Sequence, residues 1–331
     1  MTRKFNNVYI SDTYTIASIY EKKGPISDYF DLVYDKDLYY GMDTFEKAEE
    51  KMLSNSISKL ISRAKLIDSD IDYVISGDLE NQIAASDYAM RDFNIPFLGI
   101  FSACATFAEG LLIGSNFIEG KNAKKIIVST SSHNMVAERQ FRNPTEYGAP
   151  KKKTTTFTAT GAASLLLTNT KSEIKVTSAT PGIVQDKGIT DVNNMGAVMA
   201  IAAADTIKRH LKDLKLDANY YDLILTGDLG IYGKGILIEY LQNYGIDISK
   251  NYNDCGLILY DRKKQPVYAG ASGPVCSALV LCSYIIKEMK KGKYKKVLIV
   301  PTGAIFSPTR VFQKSSIPSI AHAISLEVTN L

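Results

Sequence analysis

The chain has 331 residues, 45% of them hydrophobic and 22% charged, with a formal net charge of +4. That is an ordinary composition for a globular protein with a large core, one or two domain-sized units long. The charge is too small for a nucleic-acid binder, whose basic face would be concentrated, and no apolar run approaches the length of a membrane span.

The first residues, Met1-Thr2-Arg3-Lys4 and Phe5-Asn6-Asn7, lack the apolar core of a signal peptide, so a cytosolic chain is expected. Residues 45–67 read as a helix. Residues 72–79 form a short apolar β-type run ending in Gly77-Asp78-Leu79, the pattern of a buried strand stopping at a tight turn. Residues 103–120 are helical, with Phe107, Leu111 and Ile118 on one face, and lead into a strand at 124–128. Residues 133–153 read as a long irregular stretch, with Asn143-Pro144-Thr145 and Tyr147-Gly148-Ala149-Pro150 as breakers. Loops this long tend to be functional lids or dimer contacts. Residues 162–168 and 173–179 are expected to pair as an antiparallel hairpin. A helix at 202–214 precedes a second run, 221–229, ending in Gly227-Asp228-Leu229. A helix at 274–292 then leads into a strand at 295–300, and residues 320–328 supply the last strand. The basic clusters at 151–153 and 287–296 read as a solvated loop and a solvated helix end. The four cysteines and three histidines match no zinc spacing.

The two Gly-Asp-Leu runs, each behind a helix and each followed by a helix and strand, show an internal duplication. The helices beginning at 103 and 274 are apolar nearly all round in their first turns, so both are expected to be buried between two sheets. The expected fold class is therefore α/β, in five layers α-β-α-β-α, from two fused, related halves at residues 1–170 and 171–331. Ligands bind at the carboxyl ends of strands in such sheets, which here means the two Gly-Asp-Leu turns and the starts of the two central helices.

This duplicated arrangement, with Cys104 in Ser102-Ala103-Cys104-Ala105-Thr106 at a helix start, resembles the thiolase and ketoacyl-synthase superfamily, whose cysteine is an acyl-accepting nucleophile. A helix N-terminus suits a thiolate. A closer resemblance rests on Gly77-Asp78-Leu79, Asn81-Gln82, Ser131-Ser132-His133-Asn134, Ala137-Glu138-Arg139-Gln140-Phe141-Arg142, Gly188-Ile189-Thr190-Asp191 and Asp254-Cys255-Gly256-Leu257. These segments resemble the stage V sporulation protein AD family. That resemblance implies a protein that binds dipicolinic acid and helps load it into the developing spore. It also implies membrane-protein partners of the same sporulation system, and a location in the cytoplasm or forespore, peripheral to the inner spore membrane.

Superfamily enzymes pair the cysteine with a histidine and often an asparagine. Those positions fall here at Gly227 or Asp228 and near Ala271 or Ser272. Neither matches, and condensation needs proton transfer and oxyanion stabilisation, so a retired enzyme is expected. An acyltransferase or acyl-binding protein using Cys104, with His322 before the last strand, is the alternative. The expected ligand site comprises Asp78, Asn81, Gln82, Cys104, His133, Arg139, Arg142, Asp228 and His322. Asp78 and Asp228 either cap turns or meet the ligand; Cys104 is either a small buried residue or a pocket wall. Arginine forks suit the carboxylates of a planar dianion. Calcium bound with the ligand would reach Asp78; no other cofactor and no nucleic acid are expected. A homodimer is expected through residues 125–129, taken as an exposed edge strand.

Overall fold

The computed structural model describes residues 1–142, 145–305 and 307–329. Ten of its strands carry two halves of the same design. The first half holds β1 (Tyr9–Ala17), β2 (Tyr73–Gly77), β3 (Phe97–Gly99), β4 (Lys125–Ser132) and β5 (Gly161–Thr168). The second holds β6 (Ile174–Thr180), β7 (Leu223–Thr226), β8 (Tyr252–Asp254), β9 (Lys296–Val300) and β10 (Ala323–Val328). Spatial order is β3-β2-β4-β5-β1 in the first half and β8-β7-β9-β10-β6 in the second, so the strands correspond one to one. In each half the Gly-Asp-Leu strand is parallel to both neighbours, while the fifth strand runs antiparallel to its own. The sheets meet where Tyr9 lies opposite Lys175 and Ile10 opposite Ile174.

Six helices fill the layers: α1 (Phe45–Arg63), α2 (Thr106–Glu119), α3 (Asn134–Phe141), α4 (Met195–Leu214), α5 (Gly230–Gln242) and α6 (Pro274–Leu279). α6 runs on through a π-helical turn, Val280–Ile285, into Ile286–Lys290. Strand periodicity sorts the core. Val74, Ile127 and Leu166 face outward against Met52, Leu53, Ile57 and Leu60 of α1. Ile75, Ile126 and Val128 face inward, together with Leu225, Val297 and Ile299 of the second sheet, onto Phe107 and Leu111 of α2 and Val275 and Leu279 of α6. Ile224, Leu298 and Val300 face out against Val198, Met199 and Ala203 of α4. The result is the expected five-layer α-β-α-β-α stack.

Three expectations are corrected and one is extended. Residues 125–129 are not an edge, because β4 is paired on both sides, parallel to β2 and antiparallel to β5. The open edge of that sheet is β3. The segments near 162–168 and 173–179 do not pair with each other: β5 lies between β4 and β1, and β6 pairs with β10. One strand closes the first half and the next opens the second. The stretch 133–153 is not structureless, since His133 caps α3 by accepting the Met135 N–H at Nδ1, and Val136 and Ala137 are buried. The breakers Asn143 and Pro144 lie outside the described residues. Finally, the helix-like stretch containing 202–214 is present and extends back to Met195, where Met195, Val198, Met199 and Ala202 make an apolar stripe. The last strand divides into Ser319–Ala321 and β10, with His322 between them.

Phe107 is fully buried where α2 passes between the sheets, whereas Phe312 is 84% exposed. Phe107→Ala is expected to cost about 3–5 kcal/mol and Phe312→Ala less than about 0.5 kcal/mol, measured as unfolding in guanidinium. Equal losses for the two would contradict the sandwiched position of α2.

Candidate functional site

Cys104 sits in a 3-10 turn, Ala103–Ala105, that feeds α2. Ala103 is held at φ 49, a left-handed conformation that costs a residue with a Cβ about 1–2 kcal/mol. The turn is pinned by its own neighbours: the Thr106 hydroxyl donates to the Ala103 carbonyl (2.6 Å) and accepts the Ser102 N–H (3.0 Å). From the second half, the strand Thr302–Ala304 passes so close that a Cβ on Gly303 would meet the Ser102 carbonyl oxygen at 2.2 Å. Gly273, at φ +96, brings its N–H to the Cys104 sulfur just before α6 begins. Both central helices thus start at one point.

The two Gly-Asp-Leu turns have diverged. Asp78 folds back on its own turn, accepting the Glu80 N–H and the Ser86 N–H, both at 2.8 Å. In the second half that task passes to Asp254. Its carboxylate accepts the Thr226 hydroxyl and the N–H groups of Leu229, Gly230 and Gly256. Asp228 is thereby released from its turn. It is fully buried, accepts the Thr302 hydroxyl at 2.5 Å, and leaves Oδ2 without a hydrogen-bond partner among the described residues. Burial pushes its carboxyl up to about 7, against the stabilising Thr302 and Cys104 contacts. Burial, and then the Asp228 carboxylate, push the Cys104 thiol well above its ordinary value. The helix N-terminus does not win that contest, so Cys104 is no ready thiolate.

These residues border a cleft of about 570 Å³, counted out to its mouth, at the junction of the halves. Of the nine residues expected to form the site, the cleft brings together Cys104, Arg142 and Asp228. Arg142 reaches it from the end of α3, donating Nη1 to Glu138 (2.6 Å), with Nε unpartnered among the described residues. Six lie elsewhere. Asp78 is occupied by its turn. Asn81 and Gln82 line a neighbouring groove, which shares Phe101 and Phe141 with the cleft. Arg139 is turned to solvent and pairs with Glu46 at 2.6 Å. His133 donates Nε2–H to the Leu38 carbonyl (2.9 Å) and stacks on Phe45; burial lowers it to about 4. His322 accepts the Gly182 N–H at Nδ1 and lies behind Ser102, 3.5 Å from its hydroxyl; burial lowers it, too, to about 4. Both histidines are neutral and structurally engaged.

Leu79, in the turn expected to meet the ligand, does line the cleft; the walls not anticipated from sequence are Phe101, Ala137, Phe141, Met195 and Met199, with Thr156, Thr158 and Gly273. Met195 and Met199 stand one helical turn apart at the start of α4, ahead of the 202–214 stretch read as helical from sequence. Thr302, which holds Asp228, follows β9 as the counterpart of the residues after β4. The duplication is the signal that could have found it. Among the described residues no group of three or more His, Cys, Asp or Glu is arranged to hold a metal ion.

The sequence profile of the family described as Stage V sporulation protein AD (SpoVAD) matches residues 1–327. Stage V sporulation protein AD of Bacillus subtilis (strain 168) is 43% identical over 320 residues, covering 97% of this chain and 94% of that protein. Among solved structures, OleA variants of Xanthomonas campestris superpose over nearly the whole chain. One has a TM-score of 0.62 at 13% identity, covering 98% of this chain and 99% of its own. Another, bound with cerulenin, has a TM-score of 0.63 at 12% identity, covering 98% and 97%. This likeness shows a thiolase-like fold.

Two expectations follow from Asp228. Iodoacetamide is expected to alkylate Cys104 slowly near pH 8, and Asp228→Asn to accelerate the reaction at least threefold by removing the facing charge; an unchanged or slower rate would disprove the coupling. The second concerns stability. A carboxyl at about 7 in the folded chain and about 3.9 unfolded keeps its proton on folding, so its contribution falls as pH rises through that window and is gone above about 7. Asp228→Asn is therefore expected to gain stability relative to the parent between pH 4 and 7, by at most about 4 kcal/mol, and to gain no more above pH 8. Denaturant midpoints across that range provide the check.

Proposed function

The chain belongs to the stage V sporulation protein AD family, and from that premise we propose that it binds dipicolinate in the junction cleft and does not carry out acyl transfer. The observation that carries the proposal is the meeting of Arg142 with a proton-holding Asp228 in a cleft that no histidine lines. Arg142 offers a cationic fork to one carboxylate. At neutral pH a carboxyl titrating near 7 still presents O–H in part of the population, and the Oδ2 of Asp228, with no hydrogen-bond partner among the described residues, supports its donation to an anion. The apolar sides, Leu79, Phe101, Phe141, Met195 and Met199, suit the faces of a flat ring.

The same cleft serves acyl chemistry poorly. A thiol raised by burial and by a neighbouring carboxylate is a weak nucleophile, and Gly227 or Asp228, and Ala271 or Ser272, stand where the superfamily resemblance calls for histidine and asparagine. Calcium, if carried with the ligand, meets Asp228 in this reading, because Asp78 is consumed by its own turn. We further propose that the chain works in dipicolinate uptake into the spore beside membrane-embedded partners, at the surface of the inner spore membrane. No helix among the described residues is long and apolar enough to cross a membrane. The homodimer is retained as a proposal, with the unpaired edge of β3 and the exposed Phe101 replacing β4 as its contact.

Calorimetry with dipicolinate, with and without calcium, tests the reading. Arg142→Ala is expected to weaken binding roughly ten- to a hundredfold, the worth of one charge-assisted contact. Parent-like binding in both Arg142→Ala and Asp228→Ala would place the ligand elsewhere. A stoichiometric acyl adduct after incubation with acetyl-CoA, seen by intact-protein mass and lost in Cys104→Ser, would overturn the non-catalytic assignment.

A further inference from the structure

The segment from Thr155 to Thr158 is extended and bonded to the second half: the Phe157 N–H donates to Gly270, the Ala159 N–H to Ser272, and the Ala269 N–H to Thr155. Because successive side chains of an extended segment point to opposite faces, it has two sides. Thr156 and Thr158 line the junction cleft. Thr155 and Phe157 line a second cavity behind it, about 930 Å³ out to its mouth. The segment is a partition between two chambers. Arg142 closes its end, lining both and donating weakly to the Thr156 carbonyl (3.4 Å).

The second chamber has a chemistry of its own. Glu138, 1% exposed, lies in its wall and takes two cations, Arg142 at 2.6 Å and Lys151 at 3.0 Å. Two positive charges against one negative leave the wall with a surplus of +1. Three of its residues also carry a buried polar atom with no partner among the described residues: Arg142 Nε, Asn134 Nδ2 and Thr155 Oγ1. Nitrogen donors and a hydroxyl left unmatched beside excess positive charge call for an acceptor-rich, negatively charged guest. Asn134 and Thr155 are each only 2% exposed, so this polarity is built into the wall and is not a solvated surface.

We propose that this second chamber binds a small oxyanion, the carboxylate or phosphate group of a ligand distinct from the occupant of the junction cleft, through Lys151, Arg142, Asn134 and Thr155. Arg142 then couples the two chambers across the partition, since an anion on either side draws on the same guanidinium.

Equilibrium dialysis of the full chain against radiolabelled inorganic phosphate and, separately, acetate tests this. One anion per chain is expected to bind saturably, and Thr155→Val and Lys151→Met each to weaken it about tenfold, with melting temperatures within a few degrees of the parent. The stronger of the two probes identifies the group. Failure of both anions to saturate below about 50 mM, or equal affinity in parent and both variants, would overturn the proposal and leave only ordered water in the chamber. Thr155→Val removes a hydroxyl at constant volume and Lys151→Met alters a half-buried tip, so loss of fold in one leaves the other decisive. Dipicolinate titrated into the same two variants keeps the readings apart: the junction cleft alone is at fault if dipicolinate fails to bind while the anion binds.

Discussion

Everything in this molecule follows from two helices packed side by side between two sheets. α6 buries every one of its residues, and α2 buries Phe107, Ala108, Leu111 and Ile118 while Leu112, Ile113 and Phe117 stay half-buried, so one sheet alone cannot cover the pair. Two sheets close over the pair, and outer helices cover the remaining sheet faces. Once the helices lie side by side in the middle layer, their N-termini come together at the carboxyl ends of both sheets. Cys104, Gly273 and the strand at Thr302 then converge whatever chemistry they serve.

The chemistry is decided by an asymmetry between two otherwise matched turns. In the first half the aspartate after glycine secures its own backbone, and nothing is left over. In the second half Asp254 takes the backbone donors, and Asp228 is left in the apolar interior beside a thiol. Burial makes that carboxyl hold its proton and makes the thiol hold its own. On the proposed reading this favours neutral hydrogen-bond donation over nucleophilic attack, with Arg142 supplying the positive charge. A duplicated fold has thus turned one copy of a turn-holding residue into a cleft-facing one.

The layers were legible in the sequence because they rest on local patterns: apolar strands that end at Gly-Asp-Leu, and all-round apolar helix starts, each present twice. Which residues share the cleft was legible only in part. Cys104, Asp228 and Arg142 meet there, but nothing local distinguishes Asp78 from Asp228, since the difference lies in Asp254, some 25 residues away and on another strand. His133 and His322 looked like site residues by position. Their fate depended on backbone partners, Leu38 and Gly182, that only the folded chain supplies. Likewise β4 looked like an edge because its partner β5 arrives some thirty residues later.

The central claim is that the junction cleft receives dipicolinate against Arg142 and Asp228. Diffraction from the chain crystallised with saturating dipicolinate tests it most directly. The account predicts density for one planar ligand between Cys104, Phe101 and Arg142, with a carboxylate within hydrogen-bond distance of the guanidinium and another oxygen near Oδ2 of Asp228. An empty cleft at saturation, or ligand density against Asp78 and Arg139 instead, would contradict it.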